Sequence, residues 1–189
     1  MGGKFILVVG PSGSGKGTLI NHVRPLFPEI QYPKSCTTRA RRGGDSDERY
    51  IFLSPEEFTA QAEKGAFLEW AEYGGNFYGT LASEVLPLLK EGQKAIKELE
   101  VQGARQVREK IPREELVVIF INAGTWNDME SRIRARAPIT DAELEKRKSR
   151  YQDEMSYMVE VDHVVENPLG KLEEAKKKFE DIIRSIVSQ

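Results

Sequence analysis

Three short apolar runs stand out of an otherwise mixed chain. Lys4 to Gly10, KFILVVG, is continuous, rich in β-branched residues and closed by glycine, the pattern of a strand buried on both faces in a parallel sheet. Leu116 to Asn122, LVVIFIN, repeats the pattern, and Val161 to Asn167, VDHVVEN, is a weaker third. Other stretches follow the helical period. In GKLEEAKKKFEDIIRSIV, Leu172, Ala175, Phe179, Ile182, Ile183 and Ile186 fall on one face. Strands alternating with helices predict an α/β layered fold.

Residues 31–82 have a different texture. QYPKSCTTRARRGGDSDERYIFLSPEEF mixes basic, glycine-rich and acidic pieces around a short strand, RYIFLS, with Ser54 and Pro55 set to cap a helix. FLEWAEYGGNFYGT alternates aromatic and polar residues about Gly74 and Gly75, as a hairpin does. This part is predicted to be a small, strand-rich insertion. Residues 94–110, KAIKELEVQGARQVREK, are ambiguous: Ile96, Leu99, Gly103 and Val107 fit a helical stripe, and the alternative is a strand through Val101 followed by a helix. In the strand reading Lys97 would be a charge at a buried position.

Composition narrows the class without naming a chemistry. With 189 residues, 39% hydrophobic and 31% charged, and a net charge of −2, the chain is expected to form one soluble globular domain with insertions. No basic surplus suggests nucleic-acid binding, no apolar run is long enough to span a bilayer, and MGGKF lacks the design of a secretory signal. The lone Cys36 cannot form an internal disulfide and fits a reducing, cytoplasmic setting. His22 and His163 lie far apart, and no Cys, His and carboxylate cluster has zinc-ligand spacing.

The strand KFILVV runs directly into GPSGSGKGTL, Gly10 to Leu19. A glycine, four residues, a second glycine and a lysine make a phosphate-binding loop, in which backbone N–H groups and the following helix dipole converge on an anion. Gly10, Pro11, Ser12, Gly13, Ser14, Gly15, Lys16, Gly17 and Thr18 are the candidate nucleotide-contacting residues, with Lys16 a point charge for the outer phosphates. Gly17 stands where a metal-binding hydroxyl is usual. Magnesium is held mainly by phosphates and waters in many sites, so the loop can keep its metal without that side chain. The stretch GKGT resembles adenylate kinases, which leaves a choice among nucleoside monophosphate kinases.

SCTTRARR, RYIF, FLEWAEYGGNFYGT and VQGA follow in that order, and with the loop they resemble the guanylate kinase family from Gly10 to about Arg150. The resemblance implies a P-loop nucleoside-triphosphate hydrolase-like parallel sheet core formed by residues 1–33, 83–125 and 150–189. It also implies a strand-rich GMP-binding insertion over 34–82 and a helical lid over 126–149. The implied reaction transfers the γ-phosphoryl of ATP, carried with Mg2+, to GMP and to dGMP. The implied enzyme is cytoplasmic, a monomer or small homo-oligomer, with ATP and GMP as its partners and with neither nucleic acid nor membrane.

Residue by residue, the resemblance gives Arg39, Arg42, Tyr50 and Tyr78 to the acceptor phosphate, and paired arginines suit bidentate contact. It gives Glu69, Ser35 and Thr80 to guanine, whose N1–H and 2-amino donors a single carboxylate can accept together. KELEVQG aligns with the family's D-x-D-x-Q-G, so the strand reading of this stretch is adopted over the helical one. Glu98 and Glu100 replace aspartates there, and the extra methylene moves each carboxylate by about 1.5 Å. Glu98 is the acid expected near the acceptor and near magnesium, through water, with no direct side-chain ligand assigned. Arg132, Arg136 and Arg147 match the lid arginines that close over the ATP phosphates, and Arg150 stands between that role and simple solvation. Thr140 to Glu143 form a capping box for the second lid helix. Asn167 matches the contact to adenine. Two alternatives stay open: a kinase of another monophosphate such as AMP, and a non-catalytic guanylate kinase-like interaction module.

Overall fold

The computed structural model describes residues 2–43, 49–136 and 138–188. The first apolar run is β1 (Lys4–Val9), in which Phe5 to Val9 are wholly buried, so both faces of the strand are covered. The glycine loop leads into α1 (Lys16–Val23). Then come β2 (Ser35–Thr37), β3 (Tyr50–Phe52) and α2 (Pro55–Glu63), the last closed by a full capping box between Ser54 and Glu57 with proline in its first turn. The hairpin is β4 (Phe67–Tyr73) and β5 (Asn76–Leu81), paired antiparallel from Tyr73↔Asn76. Gly74 and Gly75 form its two-residue turn with φ of 56° and 74°, positive values that the tightest hairpins require at both positions.

After α3 (Ala82–Lys90) the ambiguous stretch resolves into β6 (Lys94–Glu98) followed by α4 (Val101–Arg108). The strand stops at Glu98, short of the Val101 limit considered from sequence, and Leu99 N–H donates to Val8 O at 3.0 Å just beyond it. Ala95, Ile96 and Lys97 are buried in succession, as a strand covered on both faces allows and a one-sided helical stripe does not. The remaining elements are β7 (Leu116–Asn122), α5 (Trp126–Arg136), α6 (Asp141–Ser156), β8 (His163–Glu166) and α7 (Leu172–Val187). Strands β6-β1-β7-β8 make a parallel sheet in that order, and β3-β2-β5-β4 make a second, mixed sheet. The predicted layered α/β class and strand-rich insertion are therefore observed.

The chain divides into two compact units. One comprises Met1–Phe5, Glu29–Lys97 and Gln102–Leu116, and its small core joins Cys36, Phe58 and Phe67 with Ile51, Leu53, Ala62, Phe77 and Leu81. The other comprises Ile6–Pro28, Glu98–Val101 and Val117–Gln189, where α7 packs on α1 and β8. Ala175, Phe179, Ile182, Ile183 and Ile186 are buried as the stripe predicts. Burial of each large aliphatic or aromatic side chain contributes about 1.5–3 kcal/mol. Leu172 is a correction, being 37% exposed. Periodicity assigns a residue to a face but does not say where along the helix the covering ends.

Candidate active site

In the second unit the functional groups gather at the carboxyl ends of parallel strands, where open α/β sheets bind ligands. The loop after β1 turns tightly, with Ser14 N–H donating to Pro11 O at 3.1 Å. Gly15 caps α1 at φ 96°, and a Cβ built there would lie 2.5 Å from Asn167 Nδ2, so both backbone and space demand glycine. Asn167 follows β8 and is 2% exposed. Its Nδ2 donates to Ser14 O at 2.8 Å, its N–H donates to Asn122 O at 2.6 Å, and its carbonyl accepts from Arg132 Nη2 at 2.7 Å. These bonds brace the loop against the ends of β7 and β8. Ser14 Oγ and Asn167 Oδ1 are buried with no hydrogen-bond partner among the described residues.

Lys16 is buried and folds back over the loop, its Nζ donating to Gly10 O at 2.7 Å and Pro11 O at 3.2 Å. Glu98 Oε1 stands 3.8 Å from the same ammonium. A Cβ on Gly17 would lie 3.2 Å from Glu98 Oε2, so a carboxylate borders the position where the usual loop carries a hydroxyl. Thr18 lies one residue further along α1 and is exposed.

Of the arginines expected in a lid, Arg147 on α6 reaches the loop, with Nη1 donating to Ser12 Oγ at 3.0 Å while Nε pairs with Glu143 at 3.3 Å. Arg132 on α5 is engaged with Asn167 as described. Arg136 ends α5, and its side chain lies outside the described residues. Thr140 caps α6, accepting from Glu143 N–H at 3.2 Å, which is one half of the expected capping box; the Glu143 carboxylate instead pairs with Arg147.

Glu154 escaped sequence reasoning. It is 8% exposed on α6, and burial first, then the Glu100 carboxylate, pushes its carboxyl up to about 7, against the pull of Lys16 and Arg150. The available signal was its spacing, since it continues the helical row through Leu144, Arg147 and Tyr151.

In the first unit, strand parity sorts the insertion into two faces. Ser35 pairs with Tyr50, Thr37 with Tyr78, and Thr80 with Glu69, so the side chains of Ser35, Tyr50, Glu69, Tyr78 and Thr80 share one side of the sheet. Cys36, Ile51 and Phe77 point to the opposite side, into the core. The structure thus brings together five of the residues expected to read the acceptor. Arg39, 8% exposed, lies over the Tyr50 ring at 5.2 Å and donates to Ala40 O at 2.8 Å, while Arg42 is exposed. Cys36 is inert as a nucleophile, because burial, with the nearby Glu84 carboxylate adding to it, pushes its thiol up to about 11.

Glu69 is held from several sides. Thr80 Oγ1 donates to its Oε1 at 2.6 Å, and a Cβ on Gly103 would lie 2.9 Å from its Oε2. The strand that carries it is an edge strand with an irregularity between Phe67 and Glu69. The Gln106 side chain completes that edge, its amide donating to Trp70 O at 3.0 Å and accepting from Trp70 N–H at 3.1 Å. Lys110 donates to Phe67 O at 2.8 Å. Sequence reasoning placed Glu69 in the site but missed Gly103, Gln106 and Lys110 as its supports.

A glycine loop closed by a lysine-headed helix, set among the carboxyl ends of a parallel sheet, defines a P-loop nucleotide-binding protein. The comparisons are narrower. A family model described as guanylate kinase matches residues 2–186. A guanylate kinase of Rubrobacter xylanophilus is 41% identical over 187 residues, covering 98% of this chain and 96% of that protein. Another, from Halalkalibacterium halodurans, is 43% identical over 166 residues, 87% of this chain and 80% of its own length. The crystal structure of guanylate kinase from Anaplasma phagocytophilum aligns with a TM-score of 0.72 at 26% identity, over 97% of this chain and 86% of that one. The chain belongs to the guanylate kinase family.

Proposed function

We propose that the chain is an ATP:GMP phosphotransferase, moving the γ-phosphoryl of ATP to GMP, and to dGMP, to give ADP and the nucleoside diphosphate. The observation that carries the choice of acceptor is the buried Glu69 carboxylate, set on one sheet face with Ser35, Thr80, Tyr50 and Tyr78. Such a carboxylate accepts both the N1–H and the 2-amino group of guanine, whereas adenine would leave it unpaired. Arg39 and Arg42, with the two tyrosine hydroxyls, suit the acceptor phosphate dianion.

The donor nucleotide is assigned to the loop from Gly10 to Thr18. Its backbone N–H groups and the α1 dipole meet the phosphates, and Lys16 transfers its bonds from Gly10 O and Pro11 O to them. The orphaned Ser14 Oγ and Asn167 Oδ1 are polar atoms that a bound nucleotide can satisfy. Asn167 thereby combines the adenine contact of the family pattern with the brace on Ser14 O. Arg132, Arg136 and Arg147 are proposed to stabilise charge on the transferred group, with residues 126–149 acting as the lid and 34–82 as the acceptor region. The chemistry then needs positioning and electrostatics, with no protein nucleophile.

Magnesium, when bound with ATP, would neutralise developing phosphate charge. The residues fit it: a half-exposed Glu98 carboxylate beside Gly17 offers the hard oxygen that this ion prefers, reached through a water. No helix among the described residues is long and apolar enough to cross a membrane.

Coupled assays with GMP, dGMP, AMP, CMP and UMP test the assignment. GMP is expected to be turned over most efficiently, and faster use of AMP would remove the reading.

A further inference from the structure

Lys97 lies inside β6 between Ile96 and Glu98 and is 7% exposed. Its Nζ donates to Pro33 O at 2.7 Å, two residues before Ser35 opens β2. Lysine is seldom buried unless its charge is met, and a single carbonyl does not neutralise an ammonium. The groups within its electrostatic reach are the Glu69 carboxylate on β4, the Cys36 thiol on β2 and the Glu84 carboxylate on α3.

Seen from Glu69, the surroundings are equally specific. Burial raises its carboxyl above the ordinary range, while the Thr80 hydrogen bond from β5, then the charge of Lys97, then that of Lys110 after α4, draw it back down. Lys110 already donates to Phe67 O. The Cys36 thiol, on the opposite face of the sheet, is within electrostatic range of this cluster, and burial holds it in the neutral form.

The charge state of Glu69 decides which base it fits. An ionised carboxylate is a double acceptor and complements the two donors of guanine, N1–H and the 2-amino group. A protonated carboxyl has one donor and one acceptor, and that pair complements the N1 acceptor and 6-amino donor of adenine instead. A buried acid with no compensating charge drifts towards the second state.

We propose that Lys97 is a positioning residue that fixes base specificity: its buried ammonium keeps Glu69 ionised and so selects guanine over adenine, while its bond to Pro33 O anchors the chain entering β2. The proposal rests on Glu69 being the acid that contacts the base. Burial works against the Lys97 charge, and Glu69 is first among the groups that support it.

Two variants of the full chain separate charge from anchorage. Lys97→Gln keeps an N–H donor for Pro33 O without the charge, and Lys97→Met removes both. Efficiency with GMP and with AMP is followed between about pH 5 and pH 8, with the KM for ATP alongside. Because the competent form is the carboxylate, activity with GMP falls as pH drops through the Glu69 titration. Loss of Lys97 raises that titration, so the acidic limb moves to higher pH. The GMP-over-AMP ratio near pH 6 is expected to narrow at least about tenfold in both variants, with the KM for ATP unchanged within about twofold.

A folded Lys97→Gln variant with the wild-type acidic limb and wild-type discrimination overturns the proposal, even where Lys97→Met is impaired. Glu69→Gln run in parallel keeps the two readings apart. If it retains full GMP efficiency, the reading of Glu69 fails; if it loses efficiency while Lys97→Gln leaves the limb unmoved, only the role of Lys97 fails. Should neither lysine variant fold, carbon NMR of the Glu69 carboxyl in the wild-type chain decides: an ionised group at neutral pH is expected, and a protonated one refutes the idea.

Discussion

Gly103 contributes no side chain, yet it sets how closely α4 approaches Glu69. A Cβ there would stand 2.9 Å from Oε2, so Gly103→Ala must displace the carboxylate that Thr80 holds at 2.6 Å. Alanine favours a helix by about 1 kcal/mol over glycine, so the variant is expected to fold at least as well as wild type. Its efficiency with GMP should nevertheless drop by about ten- to a hundredfold with the KM for ATP unchanged, as steady-state kinetics with each substrate varied will show. Lys16 poses the complementary case in the other unit. Lys16→Ala removes the ammonium that the loop carbonyls hold ready, and turnover is expected to fall by about a hundredfold or more while GMP binding, measured by calorimetry, persists.

At the scale of elements, α6 combines two tasks that its sequence does not separate. Arg147 reaches Ser12 on the loop, and Glu154 on the same helix is buried close enough to Lys16 and Glu100 to feel both charges. The carboxyl of Glu154 titrates at about 7 in the folded chain and in the ordinary carboxylate range when unfolded. Between those values the folded state keeps a proton that the unfolded state has lost, so its stabilising effect is full at acid pH and is lost as pH rises through 7. Glu154→Gln, which mimics the protonated form, should therefore raise stability by about 1–3 kcal/mol near pH 8 and change it little near pH 5. Denaturant unfolding at the two values checks this; equal effects at both would show that the acid is solvated. In α4 the comparable device is Gln106, whose amide stands in for the missing neighbour of the edge strand β4 and fixes Glu69 in register.

For the whole molecule, the division into two units makes ligand effects separable. Hydrogen exchange with GMP alone is expected to show protection concentrated in β2, β4 and β5, and a non-hydrolysable ATP analogue should protect Gly10 to Val23 and Asn167. At about a hundred times its Kd, either ligand should also add about 2.7 kcal/mol to the stability of the unit that binds it. Protection of the β4–β5 hairpin by the ATP analogue, with none from GMP, would reverse the assignment of donor and acceptor.

Much of this was legible along the chain, because burial on both faces of a strand and on one face of a helix leaves a periodic imprint. The strands KFILVV and LVVIFIN, the stripe of α7 from Ala175 onwards, the Gly74–Gly75 hairpin and the Ser54 cap are local in origin and were readable as such. The phosphate-binding loop was legible for the same reason: its glycines, lysine and flanking elements are contiguous. Residues 94–110 were not, since their apolar positions satisfy two periods at once and only cover on both faces of β6 decided between them. Nor could local pattern show that Leu172 lies at the exposed start of its helix. The sequence by itself determined the layered α/β class and the loop, and its resemblance to a family supplied the residues proposed to meet the acceptor. Only the tertiary structure decided which groups meet: Asn167 with Ser14 across 153 residues, Glu98 beside Gly17, and Lys97 within reach of Glu69. Those encounters depend on how strands are ordered and how deeply side chains are removed from water, and a one-dimensional pattern records neither.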